Sequence, residues 1–218
     1  MKKIIITIVA LTLCISVYPQ TVDGPSPVMG GSTQMYTYSG PSINNPVWLC
    51  NNCTIVESYG IYVSVTWGNN SNTQGSIAML DGSTFVASKT VSLLVAPIAT
   101  AATNIASNSF TANWTTVPAA TSYRLDVSTS SSFSSFVSGY NNLTVSGTSQ
   151  SVTGLTINTT YYYRVRSYSS LGTTGNSNTM SAGTGPTAPT ATAATNPDQY
   201  SFTANWGSVT GATSYTVK

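Results

Sequence analysis

The sequence predicts an all-β chain of tandem β-sandwiches, the last of them truncated. Three observations predict it. Apolar and polar residues alternate with a period of two in many short segments, each bounded by Gly, Asn or Ser. No sustained helical periodicity runs through residues 21–218. Residues 96–126 return as residues 188–218 at a constant offset of 92, with 19 identities in 31 positions. A repeat of that length is the size of one sandwich and far longer than a solenoid unit.

The chain opens with Lys2 and Lys3 ahead of an apolar run from Ile4 to Tyr18. That is the pattern of a secretory signal peptide over residues 1–20, too short to cross a bilayer comfortably. A lipoprotein reading would use Cys14, but such export motifs want a small residue before the cysteine, and Leu13 stands there. Without residues 1–20 the chain keeps five cations and five anions, so its net charge is near zero. No later segment is apolar and long enough to span a membrane. The expected location is secreted or at the cell surface.

Composition narrows the function classes. Of 218 residues, seven are Lys or Arg and five Asp or Glu, 6% charged, against roughly 25% in ordinary soluble proteins. Ser and Thr supply 68 residues and histidine is absent. No His base, His metal ligand or Ser-His-Asp triad can therefore be built. Duplex nucleic acid, which is held through many Lys and Arg contacts to phosphate, is not an expected partner. No cofactor is expected.

Residues 21–95 form the first expected sandwich. Ile61, Val63, Val65 and Trp67 share one strand face, and Tyr36 and Tyr38 share another. Ser92 and Leu94 alternate with Val91, Leu93 and Val95, and Asp81-Gly82 is a hairpin-turn signal. Cys50-Asn51-Asn52-Cys53 is the most localised chemical feature. A zinc site needs about four ligands, and neither histidine nor another cysteine follows residue 20. A thioredoxin-type redox motif needs an α/β context. If Asn51-Asn52 is a two-residue hairpin turn, Cys50 and Cys53 become a cross-strand pair within disulfide reach, and export favours oxidation. Tyr59 and Tyr62 are the aromatics of this region to test for binding.

Residues 97–184 form the second expected sandwich. Phe110, Ala112 and Trp114 alternate with Thr111 and Asn113; Tyr123, Leu125 and Val127 with Arg124 and Asp126; Tyr161, Tyr163 and Val165 with Tyr162, Arg164 and Arg166. The Ser-rich run from Ser128 to Ser138 reads as a loop and short strand within the domain. Arg124, Arg164 and Arg166 are expected to point outward on neighbouring strands, with Asp126 and Tyr162 beside them. Two readings stand side by side. One is a ligand patch for an anionic glycan or acidic partner made by Arg124, Arg164, Arg166 and Tyr162. The other is a solvated sheet face with Asp126 paired to an Arg across strands. The remaining carboxylates, Asp23, Glu57, Asp81 and Asp198, form no apparent pair for glycoside hydrolysis. A Pro/Thr/Ala linker leads from residue 185 into the incomplete second copy, which ends at residue 218. About three strands are expected there, leaving Phe202 and Trp206 uncovered.

The spacing of Trp114 and Tyr123, with the run Leu155-x-Ile157-x-Thr159-x-Tyr161-x-Tyr163-x-Val165, resembles a fibronectin type III domain of bacterial secreted and surface proteins. Residues 185–218 resemble the linker and first third of a second one. Ile157 stands where the family often has Pro. The resemblance implies that Tyr161 is a corner tyrosine bonding back to nearby backbone. The order Tyr-x-Tyr, Trp48, Val-x-Val-x-Trp and a late Val-rich strand over residues 21–95 resembles immunoglobulin-like, PKD-like domains of secreted bacterial proteins. These resemblances imply a non-catalytic chain, the amino-terminal part of a larger extracellular protein. It would serve as a spacer, for presentation, or in protein interaction. The alternative is adhesion or carbohydrate binding, attached to a downstream hydrolase. The partner is an unidentified protein or glycan.

Overall fold

The computed structural model describes residues 19–217. The expected signal segment falls almost wholly outside the described residues. Among the described residues all regular structure is β, and no helix is long and apolar enough to cross a membrane.

The first eight strands are β1 (Thr21–Asp23), β2 (Val28–Met29), β3 (Thr33–Ser39), β4 (Pro46–Asn51), β5 (Cys53–Tyr59), β6 (Tyr62–Trp67), β7 (Gln74–Asp81) and β8 (Thr84–Leu94). They make two four-stranded sheets, β1-β3-β6-β5 and β2-β8-β7-β4. All pairs are antiparallel except β2 with β8. Alternation decides which side chains enter the space between the sheets. Tyr36, Tyr38, Val63, Val65 and Trp67 enter from one sheet, and Trp48, Ile77, Met79, Val91 and Leu93 from the other. Trp67 organises this core. Its ring stands edge-on to Tyr36 at 5.7 Å, and its indole N–H donates to the Tyr36 hydroxyl at 3.1 Å. That hydroxyl donates to the Pro25 carbonyl at 2.9 Å. Gly75 lies under the indole, where a Cβ would stand 2.4 Å from the ring, so only glycine fits.

Ile61 departs from the expected face. It sits in the two-residue connection between β5 and β6 and is partly exposed, whereas Val63, Val65 and Trp67 are buried. Leu94 is buried alongside Leu93 and Val95, because alternation ends where β8 does. Asp81-Gly82 makes the expected turn between β7 and β8, with Gly82 at φ +62°.

The next eight strands are β9 (Ala99–Thr103), β10 (Phe110–Trp114), β11 (Ser122–Ser128), β12 (Leu143–Val145), β13 (Ser149–Val152), β14 (Thr160–Ser169), β15 (Gly172–Thr173) and β16 (Met180–Gly183). They form a three-stranded sheet, β13-β10-β9, and a five-stranded sheet, β12-β11-β14-β15, with β16 also paired to β14. Phe110, Ala112 and Trp114 face Tyr123, Leu125, Tyr161, Tyr163 and Val165 across the core. Trp114 packs on Tyr123 at 5.7 Å, and Phe110 on Tyr163 at 5.8 Å. Past Ser128, the last residue of β11, the Ser-rich run contains no strand, which corrects the expectation of a short one within it. It folds back onto β11 through Val137 N–H to the Val127 carbonyl and Val127 N–H to the Tyr140 carbonyl.

The last two strands, β17 (Ala191–Thr195) and β18 (Thr203–Trp206), form a two-stranded sheet, one strand fewer than expected. Their register repeats that of β9 and β10 at the same offset of 92. Ala191 opposes Trp206 as Ala99 opposes Trp114, and Thr195 opposes Thr203 as Thr103 opposes Thr111, with the same irregularity between. Side-chain bonds repeat too. Asn113 donates to the Ala101 carbonyl and Asn205 to the Ala193 carbonyl, each at 3.0 Å. The Tyr123 hydroxyl accepts from Val117 N–H, and that of Tyr215 from Val209 N–H.

Candidate functional site

The candidate residues divide among three places: the arginine face of β11 and β14, the Cys50–Cys53 staple, and the tip of the β5–β6 connection.

On the arginine face, antiparallel register sets Arg124 opposite Arg166 and Asp126 opposite Arg164. Asp126 is not on a solvated surface, which corrects the expected outward, exposed position. It is 1% exposed because the segment from residue 129 to 142 covers the outer side of β11. Its carboxylate accepts from Arg164 Nε at 3.0 Å, from Arg166 Nη2 at 3.0 and 3.1 Å, and from Asn142 N–H at 2.8 Å. Arg166 Nη2 also donates to Asn142 Oδ1 at 3.0 Å. The guanidinium of Arg164 lies 4.1 Å from the centre of the Phe133 ring, and that of Arg124 lies 4.3 Å from the Tyr168 ring. Arg124 Nη1 donates to Thr144 Oγ1 at 2.7 Å.

Each arginine thus has a partner inside its own domain, either a carboxylate or an aromatic ring. Tyr162, opposite Ser128, is half-buried on the same sheet. The arrangement pins the segment from 129 to 142 onto the sheet. Burial of Asp126 could not be read from alternation, because the covering comes from a loop and not from the opposing sheet. The signal available was Phe133, an apolar residue inside a run of serines.

Cys50 and Cys53 are joined by a disulfide with Cα atoms 5.8 Å apart. The expected geometry is corrected. Cys50 pairs with Ile77 in one sheet and Cys53 with Trp67 in the other, so they are not partners in one hairpin. Asn52, at φ +59°, turns the chain from sheet to sheet. The bridge therefore ties together two edge strands on the same side of the sandwich.

The carboxylates have local work. Asp81 accepts from Asn45 N–H at 2.8 Å. Asp198 accepts from the Tyr200 and Ser201 N–H groups, each at 2.7 Å, and these bonds hold its carboxyl below the usual range. Asp23 is lowered in the same way, first by the Ser39 hydroxyl and then by that of Thr21. Glu57 stands exposed beside Met35, Tyr59 and Tyr62 around a shallow hollow of about 40 Å³. Among the described residues no group of three or more His, Cys, Asp or Glu side chains is placed to hold a metal ion.

The Tyr161 hydroxyl accepts from Thr156 N–H at 2.8 Å, the backward bond expected of a corner tyrosine. Two stacked pairs of sheets joined in series, with a tyrosine corner in the second, define a tandem β-sandwich protein. Within it, residues 96–182 form a fibronectin type III domain and match that family over this span. Among solved structures, titin domains A168–A170 share 14% identity, covering 77% of this chain and 67% of that one, with a TM-score of 0.37. A fibronectin type III-like protein from Clostridium thermocellum shares 27% identity over 40% of this chain and 90% of its own, with a TM-score of 0.35. The chicken CNTN1 FN1–FN3 domains share 15% identity over 75% of this chain and 66% of their own, with a TM-score of 0.35. No curated protein matches the chain.

Proposed function

We propose that the chain is a non-catalytic, extracellular modular protein of bacterial type. An immunoglobulin-like sandwich over residues 21–95 and the fibronectin type III domain act as spacer, presentation or protein-interaction units. The fibronectin type III pattern then begins again after residue 185. The reading is carried by one observation: the clustered charged groups that a catalytic site would use are spent inside the fold, and Glu57 stands exposed without a second carboxylate beside it. Asp126, Arg164 and Arg166 hold one another, Arg124 lies on Tyr168, and Asp81 and Asp198 cap turns. The disulfide fits an oxidising compartment.

The test is export and assay together. Expressed in a bacterium with its first 20 residues, the chain is expected outside the cytoplasm and shortened by them. The purified protein is expected to turn over no chromogenic glycoside, ester or peptide substrate. Cytoplasmic retention, or turnover lost on Glu57→Gln, contradicts this reading.

Adhesion or carbohydrate binding is the second reading. The specific observation in its favour is the exposed pair Tyr59 and Tyr62.

A further inference from the structure

We propose that Tyr59, Tyr62, Glu57 and Met35 form a binding site for one or two rings of a neutral glycan. This deepens the second reading above and leaves the spacer reading standing whether or not a sugar binds.

Register places the four side chains together. Tyr59 opposes Tyr62, Glu57 opposes Ser64, and Met35 opposes Ser64 from the other side. Directly opposed residues in an antiparallel sheet share a face, so these groups stand side by side on the outer face of β3, β6 and β5. Tyr59 is 74% exposed and Tyr62 50%. Nothing in the fold asks for large rings there, because the core of this sandwich is filled from the opposite face by Tyr36, Val63, Val65 and Trp67.

The platform is held from beneath. The buried Trp48 donates its indole N–H to the Gly60 carbonyl at 3.1 Å, and Tyr38 N–H donates to the Ile61 carbonyl at 2.9 Å. Both carbonyls belong to the two-residue connection between the tyrosines. The rings therefore project from a fixed backbone, which lowers the entropy lost when a ligand is held. Gly60, at φ +54°, has open space around it, so nothing in the fold crowds the tip.

The chemistry of the face selects the occupant. Two tyrosines bury at most roughly 300–500 Å², well short of about 800 Å² per partner in a standard protein interface. A small ligand fits better than a second copy or another protein. The site's own charge is the Glu57 carboxylate. The arginines lie on β11 and β14 of the other domain, and the lysine of residues 21–95, Lys89, stands on β8 of the opposite sheet and acts on Asp23. An anionic ligand therefore meets repulsion with no cation among the site's side chains. What remains is a neutral ligand with an apolar ring face for the tyrosines and hydroxyl donors for a carboxylate. Thr37, Ser64, Thr66 and Thr33 continue the same face with further hydroxyls, Thr33 and Thr66 already 2.7 Å apart. A hexopyranose chain has this combination.

The test titrates the full chain with maltohexaose, cellohexaose, xylohexaose and mannohexaose by calorimetry, with heparin as the anionic probe. At least one neutral hexaose is expected to bind, with heparin silent. A Tyr59→Ala, Tyr62→Ala double variant is expected to weaken that binding at least tenfold with an unchanged thermal midpoint. Glu57→Gln, which keeps the shape, is expected to weaken it about three- to tenfold. The proposal is overturned if no hexaose binds, if heparin binds as well as the best hexaose, or if the double variant binds like the parent. Retained binding in the double variant would leave carbohydrate recognition in place while removing this site from it. Silence across the panel would remove both. Tyr59→Ser alone, at the more exposed position, serves if the double variant misfolds, and unchanged affinity there also overturns the site.

Discussion

At the residue scale the fold rests on a few side chains whose surroundings differ sharply from their sequence neighbours'. Asp126 is the clearest. Its carboxylate, nearly excluded from water, accepts from two guanidinium groups that keep about a quarter of their own surface in water. Asp126→Ala removes charge-assisted bonds worth about 1.5–3 kcal/mol each in favourable settings. The arginines can turn to solvent, which offsets part of the loss, so roughly 2–3 kcal/mol is expected in a urea melt. A change under about 0.5 kcal/mol, the size usual for surface sites, would mean that the cluster is ornamental. Titration offers a second check at this scale. Burial raises the hydroxyl pKa of Tyr36, Tyr38 and Tyr163 above the ordinary value near 10.0. A raised folded value means the neutral form is favoured, so that stability is whole below pH 10 and fades as pH climbs through the folded values. Asp23 and Asp198 work in the opposite sense, their small help fading in acid below the ordinary carboxylate value of about 3.9. With no histidine in the chain, the thermal midpoint is expected to be flat between about pH 5 and pH 9 and to fall beyond pH 10. A step near pH 6.5 in a calorimetric pH series contradicts this.

At the element scale, strands and faces were legible wherever alternation reported burial, as in Tyr36 and Tyr38, Val63 to Trp67, Phe110 to Trp114 and Tyr161 to Val165. Alternation fails where an element outside the opposing sheet covers a strand, and so it missed Asp126. It also cannot say which sheet a strand joins. Cys50-Asn51-Asn52-Cys53 reads equally well as a hairpin within one sheet or as a crossing between two. Only the long-range pairings of Cys50 with Ile77 and of Cys53 with Trp67 decide. The sheet crossing changes what the bridge is for. Closing a four-residue loop contributes about 2 kcal/mol in the chain-entropy view. The bridge also clamps β4 to β5 beside the Gly75–Trp67 contact. A Cys50→Ser, Cys53→Ser double variant is expected to lose about 2 kcal/mol by urea denaturation, with faster amide exchange confined to β4 and β5. Unchanged exchange in those strands would show that the clamp has no local effect. Gly75→Ala, which forces a methyl into the Trp67 ring, is expected to cost about 1–3 kcal/mol.

At the scale of the whole molecule, the 92-residue repeat separates what local sequence specifies from what a complete core adds. β17 and β18 reproduce the register, the asparagine bonds, the tyrosine-to-backbone bond and even the 5.7 Å tryptophan–tyrosine packing of β9, β10 and Tyr123. Local interactions suffice for that much. The opposing layer is what differs. Trp114 is 4% exposed, packed on Tyr123 within a complete two-sheet core, whereas Trp206 is 38% exposed, and Phe202 just before β18 and Val217 in the segment after it are more open still. The same Ser-Phe-Thr-Ala-Asn-Trp run therefore carries different energies in its two copies. Trp114→Ala is expected to cost about 3–5 kcal/mol, a large share of a total stability of about 5–15 kcal/mol, and so to unfold the fibronectin type III domain largely. Trp206→Ala, in the same preceding run but on a two-stranded sheet with no opposing sheet, is expected to shift the main calorimetric transition by less than about 2 °C, within the range of surface substitutions. Equal losses from the two variants would mean that Trp206 is covered in solution by an opposing layer, as Trp114 is. No loss from Trp114→Ala would overturn the assignment of the core itself.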